Sequence, residues 1–216
     1  MSTYNFSDLL QIVADTVPDR TALVHGAIEL TYTELSQLAD RIARVLVAKG
    51  VGANDNVGLQ LTNSPEYLAA FFGACQIGAV PFNVNYRYSS AELSYLYEDS
   101  QVKALLFDSE FSDDVKEACK QGSSPEVLLE VGGARLGENL TEILESVLPD
   151  IDAVRHDHDQ IIIYTGGTTG YPKGVMWPHK HLFFSALGGG GFFHADGAVT
   201  NPEELVGRVN DGMALT

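Results

Sequence analysis

The order of apolar patterns along the chain predicts a layered α/β domain. Runs with helical spacing alternate with short, strand-like apolar runs, helix-capping signals open several of the helical runs, and turn residues separate them.

The first helical run covers residues 6–15, and two short β-like runs, 22–24 and 28–30, follow around the turn residue Gly26. Thr31 and Glu34 then have capping-box spacing, in which each side chain satisfies a free backbone donor at a helix start. Leu35, Leu38, Ala39, Ile42, Val45 and Leu46 fall on one face of that helix, and Gly50 supplies a left-handed stop. Residues 57–61 read as a strand. Ser64 and Pro65 open the next helix, because proline in the first helical position loses no hydrogen bond. This helix reaches about residue 77 and is apolar on nearly all sides, so it is expected to be central; 79–82 is the strand after it. Ser89 and Glu92 form a second capping box, opening a helix to about Asp99, and 103–107 is a buried strand. Alternation continues through 115–119, 127–129 and 140–147, and the polar, proline-broken stretch 149–159 reads as a linker. After four consecutive glycines from Gly188 periodicity weakens, and residues 188–210 read as an insertion. The final residues resemble the approach to another strand, so the chain is expected to be truncated.

Composition bounds the function. Apolar residues make up 45% of the chain, an ordinary globular content. A net charge of −16, without a Lys/Arg cluster, argues against nucleic acid as a partner. The same charge repels ATP at long range, but salt screens beyond about 8 Å, leaving local donors and Mg²⁺ to decide binding. Cys75 and Cys119 are too few for a disulfide framework and read as reduced thiols. No signal peptide is visible at the start, so the cytoplasm is the expected compartment. Residues 67–82 are almost wholly apolar, yet Gly78 and Pro81 interrupt them and they are short of the roughly 20 residues a bilayer requires. A buried helix followed by a strand is expected there, not a transmembrane segment.

The chemistry is concentrated after the apolar run 161–164, which leads directly into Thr165-Gly166-Gly167-Thr168-Thr169-Gly170-Tyr171-Pro172-Lys173-Gly174. The glycines let main-chain amides approach a ligand, and successive amides make an anion-binding concavity. Thr165, Thr168 and Thr169 add hydroxyl donors, and Lys173 adds a charge-assisted contact worth about 1.5–3 kcal/mol. The stretch is not a P-loop, which requires Gly-Lys followed by Ser or Thr and then a helix; here Val175-Met176-Trp177 reads as a strand. It is not a dinucleotide fingerprint either. A flexible Gly/Thr hairpin between two strands is the alternative that composition alone allows.

Residues 164–175 resemble, position for position, the signature of the adenylate-forming (AMP-binding) superfamily: a Ser/Thr/Gly-rich run, then Thr-Gly, any residue, Pro and Lys. Val17-Pro18-Asp19-Arg20-Thr21-Ala22-Leu23, Leu30-Thr31-Tyr32-Thr33-Glu34-Leu35 and the segment from Gly73 to Asn83 are similar to earlier parts of the same family, so the likeness covers roughly residues 5–190. The resemblance implies the layered α/β N-terminal domain of the acyl-CoA synthetase type, here partial over residues 1–216, with the small C-terminal domain absent. It implies a fatty-acid or sterol-side-chain acid–CoA ligase that converts a carboxylic acid with MgATP to an acyl-adenylate and then transfers the acyl group to coenzyme A. Thr165, Gly166, Gly167, Thr168, Thr169, Gly170 and Lys173 would hold the ATP phosphates, Lys173 would be catalytic, and Thr165 matches a position that contacts Mg²⁺ in some relatives. The family's ribose-binding Asp, hinge and catalytic C-terminal Lys are missing, so the chain by itself is expected to lack turnover. His194-Ala195-Asp196-Gly197 fits an insertion better than the family's histidine-containing substrate motif. An adenylation domain that loads a carrier protein and a non-catalytic module retaining the fold are the two alternatives. The acyl chain and the oligomeric state, a homodimer among the options, are left open.

Other chemistry-bearing residues have plainer readings. His156, Asp157, His158, His179 and His181 do not form a metal-ligand set, and a solvated linker and a helix start account for them. Ser185 lacks the glycine elbow of a hydrolase nucleophile. Tyr86, Tyr88, Tyr95 and Tyr97 have no interleaved basic residues and are read as core and surface packing.

Overall fold

The architecture is that of a computed structural model describing residues 2–166, 170–191 and 196–213. Helix α1 (Phe6–Thr16) is capped by the Asn5 side chain, and β1 (Thr21–His25) pairs antiparallel with β2 (Ile28–Thr31) as a separate ribbon. Both expected capping boxes form, Thr31 with Glu34 ahead of α2 (Tyr32–Ala48) and Ser89 with Glu92 ahead of α4 (Ser90–Ser100). Gly50, at φ 78°, takes the left-handed turn that ends the α2 region. Between these helices lie β3 (Asn56–Gln60), α3 (Pro65–Gln76) and β4 (Val80–Asn83); after α4 come β5 (Ala104–Asp108), α5 (Ser112–Gln121) and β6 (Val127–Val131).

These strands join β7 (Glu138–Asn139), β8 (Gln160–Thr165) and β9 (Lys173–Pro178) in one seven-stranded sheet ordered β7-β6-β5-β3-β4-β8-β9. Every neighbouring pair is parallel except β8 with β9. The path steps from β3 to β4 and then back across β3 to β5, so the sheet is wound in both directions. In such sheets ligands bind beyond the carboxyl ends of the strands.

Period-two alternation explains how one sheet feeds two cores. On β5, Ala104 and Leu106 join Ile42, Leu46, Ala70 and Ala74 of α2 and α3, while Leu105 and Phe107 join Leu93, Leu96 and Val115 of α4 and α5. The central strands are buried on both faces, which is why they read as continuous apolar runs. Residues 67–82 are the apolar helix and strand expected; among the described residues no helix is long and apolar enough to cross a membrane.

A third cluster ties the amino terminus to the far end of the chain. Tyr4, Phe6 and Leu9 pack with Cys75, Ile161 and Phe183, the last on α7 (His179–Ala186). The Asn5 amide donates to the Cys75 carbonyl at 2.9 Å and to Asp159 at 2.7 Å. His179 is fully buried and stacked on Phe6 at 4.4 Å. The Phe6 N–H donates to its Nδ1 at 3.3 Å, which puts the ring proton on Nε2, facing Cys75 Sγ at 3.7 Å. Burial pushes His179 down to about 4, against the weaker pull of Asp159 and a backbone contact.

One expectation is corrected, and two elements were not foreseen. The helix expected over 140–147 is only α6, Leu140–Leu144, because Ser146 turns back onto the Ile143 carbonyl. The strand β7 was not foreseen; two residues long, it leaves no periodicity to detect. Ahead of the chain's end, a 3-10 turn at Pro202–Glu204 leads into α8 (Leu205–Met213), which was not foreseen, started by the Asn201 side chain accepting from the Glu204 amide; residues 214–216 of the stretch expected to approach a strand lie outside the described residues. Gly207 and Gly212 lower helix propensity by about 1 kcal/mol each and obscured α8; contact with α1 stabilises it instead.

Neutral, buried His179 makes stability depend on acid. Its folded value lies below the ordinary 6.5, so an unfolded chain takes up a proton that the folded chain refuses. The contribution is complete above about pH 6.5 and is lost as pH falls towards about 4. In urea titrations, the native chain is expected to lose roughly 2 kcal/mol more than a His179→Leu variant between about pH 7 and pH 5. Parallel losses would remove His179 from the account.

Candidate functional site

Strand β8 runs beside β4 and ends at Thr165, at the carboxyl end of the parallel strands. Beyond Gly166 the chain comes back as β9, antiparallel to β8, with Lys173 opposite Thr165 and Gly174 opposite Tyr164. The stretch is therefore a hairpin in topology, as composition alone allowed, but its mouth is open: Thr165, Gly166, Gly170, Tyr171 and Lys173 are all exposed. Gly167, Thr168 and Thr169 lie outside the described residues. Gly170 has φ 143°, a torsion that side-chain-bearing residues rarely adopt. Gly174 is required for a different reason. A Cβ there would come within 2.8 Å of Ile162 Cγ2 and 3.0 Å of the Tyr164 ring.

The electrostatics leave a cation unpaired beside the hairpin. Several cations elsewhere are held by carboxylates, with Arg44 on Asp40 and Asp150, Lys103 on Asp55 and Arg155 on Asp8. Lys173 has no carboxylate partner among the described residues, although it sits in a chain of net charge −16. Arg87, on the loop after β4, likewise has none; its guanidinium lies 5.5 Å from the Tyr86 ring centroid, and Tyr86 stacks on Phe111. Sequence reasoning passed over Arg87 because a single arginine among tyrosines carries no spacing signal.

Beside the hairpin, a cleft of about 200 Å³ is bounded by Tyr67 and Phe71 of α3, Phe82 of β4 and residues 161–164. A larger groove, about 550 Å³, lies on α1 and α2, away from the hairpin. Its Asp8 and Asp40 are already held by Arg155 and Arg44, so it offers no free charge at those positions.

The remaining sequence candidates do not converge. Among the described residues no three side chains of metal-ligating type come together. His156 and His158 are exposed on the linker, while Asp157 accepts from the Tyr4 amide and Lys180. Burial raises the Asp157 carboxyl, and these donors outweigh it, leaving the group below its ordinary value. The Ser185 hydroxyl donates to the Leu182 carbonyl. Tyr97 is core, donating to Gln60 at 2.9 Å, whereas Tyr95 reaches the hairpin. Cys75 and Cys119 are both free thiols. His194 and Ala195 lie outside the described residues.

Sheet order and the surrounding helices define an α/β domain of the acyl-CoA ligase N-terminal type. The anthranilate CoA ligase AuaEII, solved with anthranoyl-AMP, superposes with a TM-score of 0.79 at 25% identity, over 87% of this chain and 37% of that one. The N-terminal domain of FACL13 from Mycobacterium tuberculosis does so with a TM-score of 0.71 at 32% identity, over 83% of this chain and 45% of that one. In sequence, a medium/long-chain-fatty-acid–CoA/3-oxocholest-4-en-26-oate–CoA ligase of Mycolicibacterium smegmatis is 37% identical over 196 residues, 87% of this chain and 36% of the relative. A 3-oxocholest-4-en-26-oate–CoA ligase of Rhodococcus rhodochrous is also 37% identical, over 86% of this chain and 35% of the relative. Residues 10–204 match the AMP-binding enzyme family, and the chain belongs to it. It spans little more than a third of the length of these curated relatives.

Replacing Gly174 with alanine is expected to force Ile162 and Tyr164 aside and to destabilise the fold by about 1–3 kcal/mol, read from urea midpoints. A variant as stable as the parent would show that the hairpin yields without strain.

Proposed function

We propose that this chain is the phosphate-holding part of an AMP-forming acid–CoA ligase. The observation that carries the reading is a hairpin at the carboxyl end of a parallel sheet, with Thr165, Gly166 and Gly170 exposed and with Lys173 free of any carboxylate partner among the described residues, in a chain of the AMP-binding family. In the reaction, a carboxylate attacks the α-phosphorus of ATP and pyrophosphate leaves, giving an acyl-adenylate. The thiol of coenzyme A then displaces AMP. Charge gathers on phosphoryl oxygens in the first step, so donors fixed beforehand stabilise the transition state rather than merely hold the substrate.

The residues take distinct parts. Thr165 and the backbone amides of Gly166, Gly167, Thr168, Thr169 and Gly170 would bind the β- and γ-phosphates, and Lys173 would neutralise the departing pyrophosphate. Mg²⁺ favours oxygen ligands and keeps most of its shell as water and phosphate. The exposed Thr165 hydroxyl would supply one such oxygen. The relatives named above act on fatty acids and a sterol side-chain acid, which supports an acid of that kind as substrate. Two free thiols fit a reducing compartment such as the cytoplasm. The cleft of about 200 Å³ is below the roughly 300–1,000 Å³ of a full ligand pocket. The chain alone is therefore expected to bind ATP weakly and to show no turnover.

In a polypeptide of the relatives' full length built on this chain, Lys173→Ala is expected to lower ATP–pyrophosphate exchange by about tenfold to a hundredfold, the loss of one charge-assisted contact. A folded variant exchanging at the parent rate would overturn the role given to Lys173.

A further inference from the structure

The phosphate loop does not support itself. Its returning arm presents Tyr171, 58% exposed, whose ring stacks on Tyr95 of α4 at 4.4 Å with 24° between the planes. The Tyr95 hydroxyl lies 3.4 Å from the Pro172 carbonyl oxygen and 3.4 Å from Asp99 Oδ1. A phenol has one proton to donate, so it serves these two acceptors alternately or shares weakly between them. The outgoing arm is held more firmly, with the Tyr164 hydroxyl donating to Asp99 Oδ2 at 2.8 Å. Burial and the Asp99 carboxylate both raise the Tyr164 phenol above its ordinary value, keeping it a donor.

Tyr95 and Asp99 are four residues apart on α4 and so present one face. That face grips both arms of the hairpin: Tyr164, the neighbour of Thr165, and Tyr171 with Pro172, the neighbours of Lys173. Packing alone would place the rings, but it would not aim a hydroxyl at the one carbonyl next to Lys173.

We propose that Tyr95 and Asp99 are positioning residues for the phosphate loop, setting the pose of Pro172 and Lys173 and with it the direction of the ammonium group towards a bound polyphosphate. This inference rests on the phosphate-binding reading of the hairpin. Neither residue touches the anion. Their contribution is preorganisation, which strengthens binding by lowering the ordering cost.

The test uses the 216-residue chain, ¹⁵N-labelled, as parent, Tyr95→Ala and Asp99→Ala. Tyr95 is half-buried and Asp99 exposed, so both variants are expected to fold; Tyr95→Phe, which keeps the ring, is the milder companion. Amide hydrogen exchange at Gly170, Tyr171, Lys173 and Gly174 is measured first, and sodium tripolyphosphate is then titrated. Faster exchange confined to the hairpin, with tripolyphosphate affinity lowered about threefold to tenfold, is the expected result. Unchanged hairpin exchange in all three variants overturns the proposal whatever the anion does. Faster exchange with parent affinity also overturns it, reducing the contact to packing. A parent chain that fails to bind tripolyphosphate overturns the phosphate-binding reading itself, and the variants are not needed to see that.

Discussion

The arrangement depends on how β8 is attached to β4. The parallel pairing is brief, with Phe82 against Ile162 as its registered pair, whereas β8 and β9 are paired along their whole length. The two strands of the hairpin are thus paired more extensively with each other than with the sheet. Side chains make up the difference: the Tyr164 ring lies 5.6 Å from that of Phe82, and Ile161 and Ile162 enter separate cores on opposite faces. Behind it, Asn5, Asp159 and His179 close the base of the hairpin against the amino terminus.

Charge is distributed to the same end. Among the described residues, seven of the thirteen Lys and Arg residues neutralise neighbouring carboxylates, contacts that are worth little when exposed. Lys173, opening β9, and Arg87, on the loop after β4, are without such partners among the described residues. An unfavourable overall field therefore coexists with favourable local donors, and the local term dominates within a Debye length.

Much of this could be read before any coordinates. Thr31/Glu34 and Ser89/Glu92 announced their helices because a capping box is a local event needing only four residues. The central strands were visible because burial on both faces makes them uniformly apolar. The hairpin was visible through residue types that few other roles require together. What escaped depends on tertiary context: α8 is stabilised against α1 despite two internal glycines, and β7 exists only because β6 offers an edge. Tyr95 and Tyr97 have the same chemistry two positions apart, yet helical geometry sends one to the core and the other to the loop. No composition argument separates them. His179 was read as part of a helix start, which it is, but its complete burial against Phe6 depends on a segment 173 residues away.

The outer side of β9 has a consequence for handling the polypeptide. It is the last strand of its sheet, and Val175, Met176 and Trp177 are 42%, 57% and 36% exposed along it. A strand with free amides, free carbonyls and apolar side chains is a template for another strand. Mutual repulsion between molecules of charge −16 opposes such stacking, and added electrolyte weakens that repulsion. Colloidal behaviour should therefore worsen with ionic strength, the reverse of what is expected when oppositely charged patches bring molecules together.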